Sequence, residues 1–397
     1  MQRGGKGLVR GVGAALAVLA VGVFLVTREV PAPPAAPGLT VAALLGTVEG
    51  GEQGYARALQ PRAFHFPEDH GPHEEFRTEW WYWTGNLQTA DGHAFGYQLT
   101  LFRNALAPTA PERASEWGTR QLYMGHFALS DIGAGRFHVF ERFSRAALGL
   151  AGAQAQPFRV WLEDWEVKAL GAGALPARLS VAAQGVALAL ELDEGKPPVL
   201  QGDRGLSQKG GPGKASYYYS LTRMPSRGTV TVQGRAYAVT GLSWMDREWS
   251  TSVLETSQIG WDWFSLQLSD GTELMYYQLR QSQGAQARLS AGSFVLPDGS
   301  AVQLKPDEGR LQVLDTWKSP RSGVTYPARW RLSVPSQQLE LELTPAQADQ
   351  ELPVVVLYWE GAVTFTGTRA GQPVTGRGYV ELTGYGDAPE ASASRPP

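Results

Sequence analysis

The strongest constraint on folding is an every-second-residue alternation of apolar side chains, broken repeatedly by Asp-Gly pairs. Phe95, Tyr97, Leu99 and Leu101 alternate with Gly96, Gln98 and Thr100, and Leu339, Leu341 and Leu343 alternate with Glu340 and Glu342. Trp330, Leu332 and Val334 repeat the pattern. Successive side chains of a strand point to opposite faces, so this period marks strands buried on one side. Asp91-Gly92, Asp270-Gly271 and Asp298-Gly299 lie between such runs, where hairpin turns belong. Long helical periodicity is absent after residue 60, and before it only Val41–Leu45 suggests a short helix. Many short strands joined by tight turns indicate antiparallel barrels or sandwiches.

The chain's 397 residues allow two domains. Residues 78–103 (TEWWYWTGNLQTADGHAFGYQLTLFR) are echoed by 259–281 (IGWDWFSLQLSDGTELMYYQLRQ). Matching Trp81-Tyr82-Trp83 to Trp261-Asp262-Trp263, and Tyr97-Gln98-Leu99 to Tyr277-Gln278-Leu279, sets the copies 180 residues apart. That is a domain length, and it predicts two related barrels meeting near residue 240. Two hairpins that merely look alike are the alternative. The expected organisation is an anchor and spacer over 1–37, barrels over 38–240 and 241–388, and a disordered tail over 389–397.

Thirty-five bases and 38 acids give a net charge of −3, and no basic block follows the N-terminus, which argues against a nucleic-acid partner. With no cysteine there is no disulfide, thiolate metal site, Cys nucleophile or lipidated Cys. Arg3, Lys6 and Arg10 precede an uncharged apolar run, Gly11 to Val26, closed by Arg28 and Glu29. No A-x-A site follows at the expected place, and PAPPAAP (31–37) reads as a stiff spacer. The expectation is a protein exported to the periplasm or cell envelope and held at the membrane by this uncleaved segment. Cleavage to a free protein is the alternative.

Chemistry concentrates in residues 64–103, which hold four of the six histidines and the run Glu79-Trp80-Trp81-Tyr82-Trp83. On a strand, Glu79, Trp81 and Trp83 share one face, and Trp80 and Tyr82 the other. Such rings line a core or a cavity for a hydrophobic ligand. Glu79 could carry a proton if desolvated, or pair with Arg77 or Arg103. Asp69, His70, His73 and Glu79, with His126, could gather around a metal. Pro67, Gly71 and Pro72 make the segment a loop, however, and these groups then serve to plug a barrel end, so no metal or cofactor is expected. His126 shares a strand face with Met124, Ala128 and Ser130. The basic-glycine segment 202–220 only superficially resembles a phosphate loop, because Gln208 and Ala215 occupy the first glycine and hydroxyl positions. It reads as a flexible loop that could cover a barrel mouth. No G-x-S-x-G elbow occurs.

Asp69, His70, His73, Phe76, Arg77, Thr78, Glu79, Trp80, Trp81, Tyr82, Thr84, Gly85, Asn86 and Leu87 together resemble the opening motif of the AttH and carotenoid 1,2-hydratase family. MGHFALSD (124–131), SWMDREWS (243–250), LYWEGAVTFTG (357–367) and GRGYVELTGYG (376–386) extend the resemblance over most of 55–386. It implies two tandem lipocalin-like antiparallel β-barrels. The hydratases of this family add water to an isolated isoprenoid C=C bond without a cofactor, using a protonated carboxylic acid and aromatic faces that stabilise a tertiary cation. Their Asp-His-x-Trp segment matches here at Asp246 and Trp249, with Arg247 in place of the His. Their following Tyr-x-Asp falls where Tyr276 and Tyr277 occur without an Asp.

The resemblance implies catalytic roles for Asp246, Glu248, Trp249 and Tyr277. It implies ligand contacts for Glu79, Trp81, Trp83, His126, Trp244, Arg247, Trp261, Trp263 and Tyr276. The preferred expectation is a membrane-tethered binding protein for a lipid- or isoprenoid-like molecule. Some family members are encoded with ABC-transporter permeases, which suggests such a permease as partner. A cofactor-free hydratase is the alternative, and a protein whose rings only pack its cores is the third reading.

Overall fold

The computed structural model describes residues 52–109, 115–252, 254–255, 257–281 and 290–386. The expected anchor and spacer, the short helix at 41–45 and the tail over 389–397 lie outside them. Among the described residues, no helix is long and apolar enough to cross a membrane.

The alternating segments form strands as expected. One sheet contains β1 (Thr78–Gln88), β2 (Ala94–Ala105), β3 (Gln121–Asp131), β4 (Arg136–Arg145), β5 (Ala151–Gln154), β6 (Arg159–Leu162), β7 (Trp165–Ala169), β8 (Ala177–Ala183), β9 (Val186–Leu192), β10 (Val199–Leu200), β11 (Leu206–Gln208), β12 (Ala215–Val232) and β13 (Arg235–Ser252). The other contains β14 (Gln258–Leu268), β15 (Glu273–Gln281), β16 (Ala291–Val295), β17 (Ala301–Leu304), β18 (Arg310–Lys318), β19 (Thr325–Val334), β20 (Leu339–Pro345), β21 (Glu351–Pro353), β22 (Leu357–Arg369) and β23 (Gln372–Thr383). Each sheet curls into a lipocalin-like barrel domain.

Strand order supports duplication. The first sheet runs β4-β3-β2-β1-β13-β12-β9-β8-β7 before ending in β6-β5, and the second runs β17-β16-β15-β14-β23-β22-β20-β19-β18. The paths match position for position, each placing its last strand beside its first. The changeover between sheets differs from the expected residue 240. Strand β13 continues through it to Ser252 and pairs with β1 and β12, so the second barrel begins at Gln258.

Hydrogen-bond register also corrects the echo. Gln88 pairs with Ala94 and Gln267 with Glu273, so the hairpins are equivalent at an offset of 179, not 180. One residue of slip exchanges the faces of a strand. Trp81 and Trp83 therefore point into the first barrel's core, with Leu99, Leu101 and Phe127. Trp263 instead lies outside the second barrel, clustered with Tyr82, Tyr218, Trp244 and Tyr277 from both barrels, and Trp261 packs against that cluster. The second barrel's core is built on Phe264, Leu266, Tyr276, Trp330, Leu341 and Trp359. Each such buried large apolar side chain contributes about 1.5–3 kcal/mol of transfer free energy.

The outer faces meet closely. A Cβ on Gly96 of β2 would lie 2.6 Å from the Cβ of Ala362 in β22, so glycine is needed for this approach. Buried Glu273 of β15 accepts from Lys196 Nζ at 2.8 Å and from Arg223 of β12. Asn86 Nδ2 donates to Gly378 O at 3.1 Å, and Ser130 Oγ to Gln350 Oε1 at 2.6 Å. These contacts fix the space left between the barrels.

Candidate active site

That space is a cleft of about 900 Å³, including its opening to solvent. The pleat sends alternate residues of each central strand into it. Trp80 and Tyr82 come from β1, Thr100 and Phe102 from β2, His126 from β3, Tyr218 from β12, and Asp246 and Glu248 from β13. The opposite wall carries Trp261, Trp263, Tyr277, Leu279, Tyr358, Glu381 and Thr383, with Val356 and Leu254 from connecting segments. Lys209, in the basic-glycine segment, reaches the first wall. The segment is not a flexible loop over a barrel mouth: Leu206–Gln208 forms β11 and β12 starts at Ala215, and it lends Lys209 and Tyr218 to the cleft.

Asp246 is the best-organised acid. Tyr218 OH donates to its Oδ2 at 2.6 Å, while Trp244 Nε1 (2.8 Å) and Ser220 Oγ both donate to Oδ1. Trp263 Nε1 in turn donates to Tyr218 OH at 3.2 Å, linking the two barrels. Burial raises the Asp246 carboxyl to about 7; the three donors oppose the rise and the neighbouring Glu248 charge adds to it. Glu248 is engaged by Lys209 Nζ and Ser216 Oγ. On the opposite wall burial also raises Glu381 to about 7, opposed by Trp261 Nε1 donating at 3.0 Å and reinforced by the charges of Asp246 and Glu248. Behind it, Tyr82 OH donates to Glu360, whose carboxyl is pushed well above its ordinary value by burial and by Glu381.

These raised acids make stability pH-dependent. A carboxyl that titrates higher when folded contributes stability that is complete below its unfolded value, near 4, and lost as pH rises through about 7. Asp246→Asn removes one such group. Its unfolding free energy relative to the native protein is therefore expected to grow between pH 5 and 7, by about 1.4 kcal/mol per pH unit at most. Urea titrations at stepped pH measure this, and a pH-independent difference contradicts the assignment.

The other sequence-derived candidates face elsewhere. Strand alternation places Arg247 and Trp249 inside the first barrel while Asp246 and Glu248 face the cleft, so SWMDREWS is divided between two environments. Glu79 is fully buried in that interior and ion-paired with both Arg103 and Arg247. These cations, together with His73, overcome the burial that would raise its carboxyl and hold it well below the ordinary range. Glu79 is thus a paired buried anion, as the Arg103 reading expected, and does not line the cleft. Arg247 lies 4.0 Å over the Trp81 ring, and His73 stacks on Trp249 with centroids 3.7 Å apart. Asp69 accepts from His73 Nε2 at 3.0 Å and Arg62 at 2.7 Å, and Trp81 Nε1 donates to His70 O at 2.8 Å. The loop therefore plugs the barrel end, and the described residues contain no metal-type cluster. Tyr276 points into the second barrel and Tyr277 into the cleft, again by alternation. Trp244 does not line the cleft but holds Asp246 from behind.

Of the expected site residues, the cleft unites Asp246, Glu248, Tyr277, His126, Trp261 and Trp263. Glu79, Trp81, Trp83, Arg247, Trp249 and Tyr276 lie outside it. Sequence reasoning missed Trp80, Tyr82, Tyr218, Lys209, Tyr358 and Glu381 as lining residues. Trp80 and Tyr82 were visible as the opposite face of β1, and Tyr358 and Glu381 stand within LYWEGAVTFTG and GRGYVELTGYG.

Two lipocalin-like barrels clasping an aromatic cleft with buried acids define a two-domain barrel protein with an interdomain site. A profile described as AttH-like matches residues 57–385, and the chain belongs to that family. A crystal structure of an AttH from Nitrosomonas europaea is similar at 37% identity and a TM-score of 0.74, covering 83% of this chain and 99% of that one. Kievitone hydratase from Nectria haematococca shares the fold at 17% identity and a TM-score of 0.63, covering 84% and 98%. Kievitone hydratase of Fusarium solani subsp. phaseoli is 24% identical over 174 residues, 42% of this chain. The match spans about half of that relative's length (49%).

Proposed function

We propose that the protein is a cofactor-free hydratase acting on an isoprenoid-type C=C bond held between the barrels. The observation that carries this reading is Asp246, a buried carboxyl raised to about 7 and facing aromatic rings. General acids work best when their pKa lies near the operating pH. Oδ1 already receives two donors, so the transferable proton belongs on Oδ2. Protonation of the less substituted alkene carbon uses the π electron pair to form the C–H bond and leaves a tertiary cation. The rings of Trp261 and Trp263 stand beside that charge, where cation–π attraction is strengthened by exclusion of water, while Lys209 Nζ lies over the Tyr218 and Tyr277 rings, 5.3 and 5.6 Å from their centroids. Water then forms the C–O bond and loses a proton, giving a tertiary alcohol.

The likeness to kievitone hydratases supports the reaction type. A membrane-tethered carrier would use the apolar lining alone and would leave the burial of Asp246 and Glu381 without a purpose. The test is incubation with kievitone and simpler prenyl-substituted phenols in H₂¹⁸O. The expected product is the alkene plus one labelled water. Unchanged alkene throughout, with ligand bound in the cleft by difference crystallography, sinks the hydratase reading and favours the carrier.

A further inference from the structure

Hydration also needs a group that takes the proton water loses, and the cleft contains a hydrogen-bonded chain leading away from its wall. Glu141 of β4 is partly exposed; its Oε1 lies 3.1 Å from His126 Nε2 and also accepts from Val355 N at 2.9 Å. His126 Nδ1 lies 2.9 Å from Tyr358 OH, and both residues are buried and line the cleft. Burial works to raise the Glu141 carboxyl, but His126 and the Val355 amide outweigh it and keep the group ionised. With the imidazole neutral, the form the relay requires, an ionised carboxylate at Nε2 only accepts, so the ring proton sits on Nε2 and Nδ1 presents its lone pair. Tyr358 OH must then donate to Nδ1, which leaves its oxygen lone pairs free to accept from a water in the cleft. Asp246 belongs to the first barrel and Tyr358 to the second, so acid and acceptor stand on separate walls.

We propose that Tyr358 is a second catalytic residue, accepting the proton of the attacking water, with His126 and Glu141 as its positioning residues. This rests on the hydratase reading. As the C–O bond forms, the water O–H bond breaks and its proton passes to Tyr358 Oη. The tyrosine's own proton moves to His126 Nδ1, and the imidazolium is stabilised by Glu141. Once the alcohol leaves, Tyr358 passes a proton to water in the solvent-open cleft, His126 returns its Nδ1 proton to Tyr358, and Asp246 regains one from solvent, so the resting tautomer is restored and no net proton is consumed.

The test compares native protein with Tyr358→Phe and His126→Gln, using kievitone and resolving the products. Tyr358→Phe is expected to lower kcat for alcohol formation about 10²-fold or more with KM changed less than threefold. The cation still forms at Asp246, and without water capture it loses a methyl proton back to that carboxylate. The remaining product should shift toward the isomeric terminal alkene. His126→Gln should shift it the same way, whereas a variant that merely loosens the cleft would lower both products together. Alcohol formation by Tyr358→Phe within threefold of native, or parallel loss of alcohol and alkene, overturns the assignment while leaving Asp246's role intact. A native protein that hydrates no prenyl phenol brings down both proposals.

Discussion

Asp246→Asn is expected to lower the hydration kcat by about 10²–10⁴-fold while the protein remains folded. The substitution keeps the shape and the acceptor on Oδ1 for Trp244 and Ser220, and costs only the hydrogen bond that Tyr218 OH gives Oδ2. What disappears is the carboxylic proton that Asp246 presents to the cleft. Glu248 cannot substitute readily, because Lys209 and Ser216 already occupy it. The outcome is read from steady-state kinetics on whichever alkene the native protein hydrates, with circular dichroism and a urea midpoint establishing that the variant is folded. Turnover within a few-fold of native would move the acid elsewhere, with Glu381 on the opposite wall the next candidate.

Glu79→Gln should produce the largest stability loss, about 3–5 kcal/mol. Glu79 is wholly buried and is the ion-pair partner of both Arg103 and Arg247; it also accepts from the His73 amide at 3.0 Å. A neutral amide leaves two guanidinium charges uncompensated inside the barrel and turns an NH₂ toward one of them. The pair stabilises at neutral pH and loses its effect as pH falls, because the folded carboxyl titrates below its unfolded value. The penalty of Glu79→Gln should therefore shrink in acid. Equilibrium urea unfolding measures it, and a cost below 1 kcal/mol at pH 7 would contradict the buried-pair account. Activity per folded molecule should fall far less than in Asp246→Asn, because Glu79 lies on the opposite face of β1 from the cleft.

The barrels were legible in the sequence because alternation and Asp-Gly turns are local. The duplication was legible too, but its register was not. Aromatic letters align at 180 residues, whereas backbone pairing aligns the hairpins at 179, and one residue decides whether an indole enters a core or a cleft. The same pleat separates Asp246 from Arg247 and Tyr277 from Tyr276. Arg247, at the position of the hydratases' His, enters the first barrel and belongs to the Glu79 network rather than to any acid–base chemistry. Lys209 and Tyr358 reach the cleft only through contacts between segments far apart in the chain. Local pattern carries no information about such pairings.

Hydration by this cleft requires Asp246 to hold a proton near neutral pH. Carboxyl ¹³C chemical shifts, followed from pH 4 to 9 in native protein and in Asp246→Asn to assign the resonance, measure this directly. A midpoint at about 7 that vanishes in the variant is the predicted result. An Asp246 resonance already fully ionised at pH 5 would contradict it.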